Sequence, residues 1–225
     1  MDQNEAKQLV AQAALRELPA AGVVGLGSGS TAKLFIDEVG KLVKAGRAYQ
    51  GVPTSEGSRA QALALGIPLL PDAGPWRIDV TVDGADEVDA QLNLIKGGGA
   101  AQTREKIVNF SSARNVIVVD ESKLSNHLGE KWPVPLEVLA FGLEATLKHL
   151  RALGTPAVRL KAGQPVLTDA HNVMVDLAAG VIDDPARLDL ALRRIPGVVE
   201  TGLFIARADL VLVAGSGGVR TLRRG

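Results

Sequence analysis

The sequence predicts an α/β fold: a mostly parallel sheet with helices on both faces, joined to a smaller α+β domain. Three observations carry this expectation. Short apolar runs alternate with helical segments from the N-terminus to Asp120, the signature of strand–helix–strand units whose crossovers cover both faces of a sheet. The loops that leave those runs are rich in Gly, Ser, Thr and Asp and fall on one edge of the predicted sheet. Around Leu124 the pattern changes to proline-interrupted runs and further amphipathic segments. The expected division is residues 1–126 and 207–225 for the main domain and 127–206 for the smaller one.

Taken in order, Asn4 to Leu18 carries Leu9, Val10, Ala13, Ala14 and Leu18 at helical spacing, and Pro19 and Gly22 close that helix. Val23-Val24-Gly25-Leu26 reads as a short buried strand. It opens into Gly27-Ser28-Gly29-Ser30-Thr31, followed by a helix from Ala32 to Ala45. Strand, Gly/Ser loop and helix N-terminus together make an anion site of free backbone N–H groups and a favourable dipole. A plain Ser/Thr helix cap is the competing explanation. A cap needs one hydroxyl, however, and here three hydroxyls interleave with glycines. Tyr49 to Val52 is the second strand. Thr54-Ser55-Glu56-Gly57-Ser58 again puts hydroxyls between a strand and a helix, and that helix stops at Gly66. Ile67 to Leu70 and Ile78 to Val82 read as strands, Ala100 to Ser112 as a helix, and Asn115 to Asp120 as a buried strand with Ser122-Lys123 beyond its end. Trp132-Pro133-Val134-Pro135-Leu136 is expected only as an edge strand, because proline cannot donate to a ladder. Phe141 to Leu153 forms an amphipathic helix with Leu143, Leu147 and Leu150 on one stripe. Ala157 to Leu160 and Asn172 to Asp176 read as strands. Asp184-Pro185 starts a helix whose buried stripe is Leu188, Leu192 and Ile195. Leu210 to Ala214 resembles the first-half strands and returns to the main sheet.

Composition narrows the function. The chain has 225 residues, 46% of them apolar and 22% charged, ordinary for a soluble globular protein. Lys plus Arg equal Asp plus Glu at 25 each, so no net charge advertises nucleic acid. The chain has no Cys, which removes disulfides, thiolate catalysis and thiolate metal sites and fits a reducing compartment. His127, His149 and His171 sit in no metal-ligand spacing and read as surface residues. The acidic N-terminus does not resemble a signal peptide, and no apolar run is long enough to span a bilayer. A cytoplasmic protein without membrane contact is expected.

The chemistry concentrates between Asp83 and Lys106. Asp83-Gly84 ends the Ile78–Val82 strand, and Asp86 follows Ala85. Lys96 precedes Gly97, Gly98 and Gly99, and Glu105 lies inside the next helix. Three glycines cost about 0.5–1 kcal/mol each in backbone entropy relative to Ala, so the loop needs positive φ or close approach to a ligand. Singly, each residue has a plain explanation: Asp-Gly as a turn, Lys96 as a solvated charge, Glu105 as a surface glutamate. Together they offer a phosphate cradle, two Asp, a Lys and a Glu, with no metal cluster, Walker A loop or dinucleotide fingerprint. Hydride transfer and metal-dependent hydrolysis are poorly served by such a set. Proton transfer beside a carbonyl of a phosphorylated small molecule is well served, since a carboxylate can abstract the proton and an ammonium can hold the oxyanion.

The motifs Gly25-Leu26-Gly27-Ser28-Gly29-Ser30-Thr31-Ala32, Asp83-Gly84-Ala85-Asp86-Glu87, Lys96-Gly97-Gly98-Gly99-Ala100-Ala101, Thr103-Arg104-Glu105-Lys106 and Asp120-Glu121-Ser122-Lys123 resemble ribose-5-phosphate isomerase of type A. So do Pro133 to Val138, Thr168-Asp169 and Ile195 to Phe204, and the resemblance runs through nearly the whole chain in order. It implies a Rossmann-like main domain and interconversion of D-ribose 5-phosphate and D-ribulose 5-phosphate through an enediol. It implies Glu105 as the base, Asp83 and Asp86 in ring opening and proton movement, and Lys96 with Gly97 to Gly99 at the oxyanion. It implies substrate binding by Ser28, Gly29, Ser30, Thr31, Gly84, Ala85 and Lys123. It also implies no metal or organic cofactor and a homo-oligomer, dimer or tetramer. Two rivals remain. A sugar-phosphate sensor of the same fold needs the phosphate loop but not Glu105, and is expected to carry a DNA-binding helix pair. An amino-sugar phosphate deaminase is expected to place a histidine in the site.

Overall fold

A computed structural model describes residues 3–224. The chain clusters into two compact units: Met1–Ala85, Arg104–Lys123 and Arg207–Gly225 form the first, Asp86–Thr103 and Leu124–Ala206 the second.

The first unit holds a six-stranded sheet in the order Gly218–Arg223, Leu210–Gly215, Asn115–Asp120, Val80–Asp83, Gly22–Leu26, Tyr49–Pro53. Every neighbouring pair is parallel except the first, an antiparallel hairpin. Alternate residues of each strand face opposite sides. Val24, Leu26, Val80, Val82, Val116, Val118, Leu210 and Leu212 therefore form one apolar face. Against it pack Val10, Ala11 and Ala14 of the helix Gln3–Ala14 and Phe35, Ile36 and Val39 of the helix Ser30–Lys44. Phe35 and Ile36 are fully buried, and each such side chain contributes about 1.5–3 kcal/mol relative to exposure. On the other face Val108 of the helix Gln102–Phe110 packs near Val23, Val52 and Ile78. The expected architecture, helices on both faces of a mostly parallel sheet, is the observed one.

Strand order has a direct consequence for function. The chain runs from Gly22–Leu26 to Tyr49–Pro53 on one side, then crosses to Val80–Asp83 on the other. The order reverses between Gly22–Leu26 and Val80–Asp83, and ligands of open α/β sheets bind outside the carboxyl ends of strands at such a reversal. The segments at that point are Gly27-Ser28 and Asp83-Gly84.

Several expectations are corrected. Ile67–Leu70 is not a strand; Leu69 makes one isolated parallel bridge to Gly51, because Pro68 lacks the N–H that a ladder needs. Leu9 is 39% exposed, and Ala6, Val10, Ala11 and Ala14 face the core instead. Phe141 lies outside the helix Leu143–Leu150 and is exposed. The hairpin strand Gly218–Arg223 extends the sheet without having been anticipated.

The second unit has a four-stranded antiparallel sheet in the order Val198–Thr201, Val134–Val138, Val173–Ala178, Thr155–Val158. The helices Leu143–Leu150 and Pro185–Arg193 add Leu147, Leu150 and Leu192 to its core. Val134–Val138 is thus an interior strand, not an edge. Pro135 is tolerated because its carbonyl points away from the Val173–Ala178 ladder and accepts from the N–H of Gly202 at 2.6 Å. At that place the Val198–Thr201 ladder has already ended. The unit also holds a three-stranded sheet of Leu203–Phe204, Leu94–Ile95 and Glu87–Val88 and a two-stranded one of Leu160–Lys161 and Gln164–Pro165. Segment 86–103 therefore belongs with the second unit, not with the main domain. Fully buried Glu87 accepts from the N–H groups of Gly129 and Lys131 at 2.9 and 3.0 Å, a tie invisible at sequence level.

Candidate active site

The loop Gly27–Thr31 is built by close approach. A Cβ on Gly27 would lie 2.3 Å from Asp83 Oδ1 and 2.6 Å from Asp83 Cα. Only glycine lets the ends of the two strands come together there. Asp83 is buried, and its Oδ1 accepts from the N–H groups of Ser28 (3.0 Å) and Gly84 (2.8 Å). Two backbone donors on one oxygen fix the carboxylate's orientation. Gly84 and Ala85 are half-buried; a Cβ on Gly84 would meet the carbonyls of Val118 and Ser28 at 3.9 and 4.0 Å.

Gly29, at φ 91° in a conformation that favours glycine, precedes the helix Ser30–Lys44 and provides no side-chain cap. The helix Glu56–Ala64 provides the contrast: Ser55 caps it by accepting from the N–H of Ser58 at 3.1 Å. The plain capping explanation therefore holds for the second hydroxyl loop and not for the first. Ser30 is exposed and Thr31 half-buried. Uncapped N–H groups, two hydroxyls and the positive end of a four-turn helix suit an anion.

Glu105 stands in the first turn of the helix Gln102–Phe110, one turn earlier than the expected Ala100 start implies. Ala100 is instead a positive-φ residue of the preceding loop (φ 59°). At 5% exposure Glu105 is no surface glutamate. Its neighbour Arg104 pairs elsewhere, with Glu56 at 2.6 Å. Lys123 is half-buried in a short turn after the strand Asn115–Asp120. Asp120 beside it titrates below the ordinary carboxylate range. Burial pushes its pKa up, but hydrogen bonds from the Ser122 hydroxyl and N–H, the Lys123 charge and a Gln3 contact outweigh that.

In the second unit Asp86 and the glycine loop meet. Asp86 Oδ2 accepts from the N–H of Gly98 at 2.7 Å, and a Cβ on Gly98 would lie 2.6 Å from Asp86 Oδ1. Gly97 has φ 114°, while Gly98 and Gly99 are exposed. The loop thus requires both positive φ and close approach. Lys96 is 3% exposed, with Nζ 5.5 Å from the centroid of the Phe204 ring. Its N–H donates to the Gly202 carbonyl at 2.9 Å, so backbone pairing holds it at the root of the loop. It is not a solvated charge.

Sequence reasoning missed the groups behind these residues. Arg159 donates to the carbonyls of Gly97 (2.8 Å) and Gly98 (3.1 Å) and is itself held by Asp176 at 2.5 and 2.8 Å. Buried Glu137 accepts from Thr103, Thr168 and Asn172. Neither has a local signal, because the bonds span from 17 to 62 residues. Thr54, Ser55 and Ser58 did have one, their run of hydroxyls after a strand. The three histidines are exposed as expected, and among the described residues no group of His, Cys, Asp or Glu is placed to hold a metal ion.

Comparison with known proteins gives a consistent picture. Residues 50–218 match the family described as ribose 5-phosphate isomerase A (phosphoriboisomerase A). Ribose-5-phosphate isomerase A of Synechococcus sp. (strain JA-3-3Ab) is 45% identical over 225 residues, covering 98% of each chain. The solved ribose 5-phosphate isomerase A of Methanocaldococcus jannaschii superposes with a TM-score of 0.93 at 39% identity, over 99% of this chain and all of the other. A D-ribose-5-phosphate isomerase solved in complex with phospho-erythronic acid gives 0.96 at 40% identity over the whole of both chains. With the family model matched over residues 50–218 and these similarities running end to end, the chain belongs to the ribose 5-phosphate isomerase A family.

Proposed function

We propose that this protein interconverts D-ribose 5-phosphate and D-ribulose 5-phosphate through an enediolate. One observation carries the reading: at the sheet's reversal point, the loop that leads into an uncapped Gly/Ser/Thr helix N-terminus donates its Ser28 N–H to an oriented, buried carboxylate, Asp83. This supports an anion cradle beside an acid–base group. Glu105 removes the proton from C2, the C–H electron pair forms the C1–C2 double bond, and O1 becomes the oxyanion. Lys96, at the root of the glycine loop, carries that developing charge. Asp83 and Asp86 serve ring opening and the transfer of the hydroxyl proton from O2 to O1. Glu105 then returns its proton to C1. The phosphate binds at Ser30 and Thr31, with Lys123 as a further cation. The complex of a family member with phospho-erythronic acid supports this, because that ligand pairs a phosphate with a carboxylate shaped like the enediolate.

The residues supply acid, base and oxyanion partner from side chains alone, so no metal or organic cofactor enters the scheme. Family resemblance supports a cytoplasmic homo-oligomer, dimer or tetramer. The described helices include none long and apolar enough to cross a membrane. A sensor would have no use for a buried glutamate in the helix after the glycine loop. A coupled assay for ribulose 5-phosphate formed from ribose 5-phosphate tests the reading. Turnover is expected, and tight binding without turnover would favour the sensor.

A further inference from the structure

Two hydroxyl loops that the sequence keeps apart are joined in the first unit, and the joint consumes the Ser28 donors. Ser28 Oγ lies 2.7 Å from Ser55 Oγ, 2.8 Å from Thr54 Oγ1 and 3.3 Å from Ser58 Oγ. Ser55 and Ser58 Oγ are 2.9 Å apart. Ser58 Oγ donates to the Gly27 carbonyl at 2.6 Å, and Thr54 Oγ1 to the Leu26 carbonyl at 3.1 Å. Thr54 and Ser58 are buried, at 0% and 4% exposure.

The hydroxyl protons give the cluster a direction. A hydroxyl has one proton to give. Those of Ser58 and Thr54 end on carbonyls of the first strand's exit. The Ser28 proton goes to Ser55 or Thr54, and the Ser28 N–H goes to Asp83. A phosphate dianion offers acceptors and needs donors, so in this arrangement Ser28 has none left for it. Ser28 is held in place, and the next three residues, Gly29 to Thr31, are presented.

We propose that Ser55 and Ser58 are positioning residues: their hydroxyls, through Ser28 and the Gly27 carbonyl, fix the turn that presents the Ser30 and Thr31 donors to a phosphate. The inference rests on the phosphate assignment but not on the isomerase chemistry. Ser28 accordingly acts with Ser55 as one unit rather than as a separate phosphate ligand.

The test compares Ser28→Ala, Ser55→Ala, the Ser28→Ala/Ser55→Ala pair, Ser58→Ala and Ser55→Thr. It reads KM and kcat for ribose 5-phosphate and the dissociation constant of inorganic phosphate by NMR titration, on protein whose fold is checked by circular dichroism. Each alanine variant is expected to raise KM and the phosphate constant together by roughly tenfold, the worth of a charge-assisted contact. The value of kcat should stay within about threefold, as for lost uniform binding. The double variant should be no weaker than either single one, since contacts in one network do not add. Ser55→Thr, which keeps the hydroxyl, should restore wild-type values. Unchanged phosphate binding in folded Ser55→Ala would overturn the proposal, as would additive losses in the pair. Should Ser58→Ala not fold, Ser55→Ala decides alone. If the wild type binds phosphate and these variants weaken it without any isomerase turnover, the positioning role stands and the isomerase reading falls.

Discussion

At the scale of single residues, Gly27 is the most constrained position of the candidate site. A methyl group there would press on Asp83 at both its carboxylate and its Cα. Overpacking of this kind typically costs about 1–3 kcal/mol, and displacing a catalytic group by an ångström costs roughly 10²-fold in rate. Gly27→Ala is therefore expected to fold with a lower urea midpoint and to lose about two orders of magnitude in kcat. Near-wild-type kcat in that variant would separate Asp83 from the chemistry. Lys96→Arg probes the second unit. Lys96 is buried over Phe204, and a wide planar guanidinium does not replace a compact ammonium. Loss of a transition-state donor is expected to lower kcat by about 10²–10³, with KM changed little; steady-state kinetics on the arginine variant decide it. Asp120 gives a pH signature. Its folded pKa lies below the ordinary 3.8, so its stabilisation is fully present above pH 3.8 and is lost as pH falls through the folded value. Asp120→Asn should lower Tm at neutral pH, and the gap to the wild type should narrow once pH is taken below 3.8. A gap that is constant across that range would rule the assignment out.

At the scale of elements, the helix Pro185–Arg193 shows local signals at work. Asp184 caps it by accepting from the N–H of Arg187 at 2.9 Å, with proline in the first turn. Asp184→Ala is expected to cost about 0.5–2 kcal/mol, the usual worth of an N-cap, read as a shift in denaturation midpoint without loss of activity. This element, the strand Asn115–Asp120 and the helix Ser30–Lys44 were legible because caps, periodicity and apolar runs are local. Val134–Val138 was not. Pro135 within it and Pro133 just before it read as an edge, and only the distant Gly202 N–H, reaching the Pro135 carbonyl, explains an interior place. Ile67–Leu70 failed the other way: an apolar run with β-branched character, but with Pro68 where a donor was needed. The strands Glu87–Val88, Leu94–Ile95 and Leu203–Phe204 are two residues each, too short for any period to show.

At the scale of the whole molecule, the chain passes from the first unit to the second at Ala85/Asp86 and back at Thr103/Arg104. These first two of the four crossings sit inside the motifs that suggested the function. Asp83 and Glu105 thus belong to one unit, Asp86 and Lys96 to the other. The motifs were legible as chemistry because Asp, Lys, Gly and Glu recur at close spacing. Their supports Arg159 and Glu137 were not, because those bonds join segments far apart in sequence; the hydroxyl run Thr54 to Ser58 was legible, but its junction with Ser28 was not. The proposed mechanism turns on buried Glu105 as the base. Glu105→Gln preserves size and most hydrogen bonding but cannot accept the C2 proton. Removal of a general base costs about 10²–10⁴ in rate. The decisive measurement is exchange of the C2 hydrogen of ribose 5-phosphate in deuterated water, monitored by NMR alongside turnover and phosphate-ester binding. Exchange and kcat should collapse together in the glutamine variant while binding stays within about tenfold. Exchange at the wild-type rate in Glu105→Gln would contradict the mechanism outright.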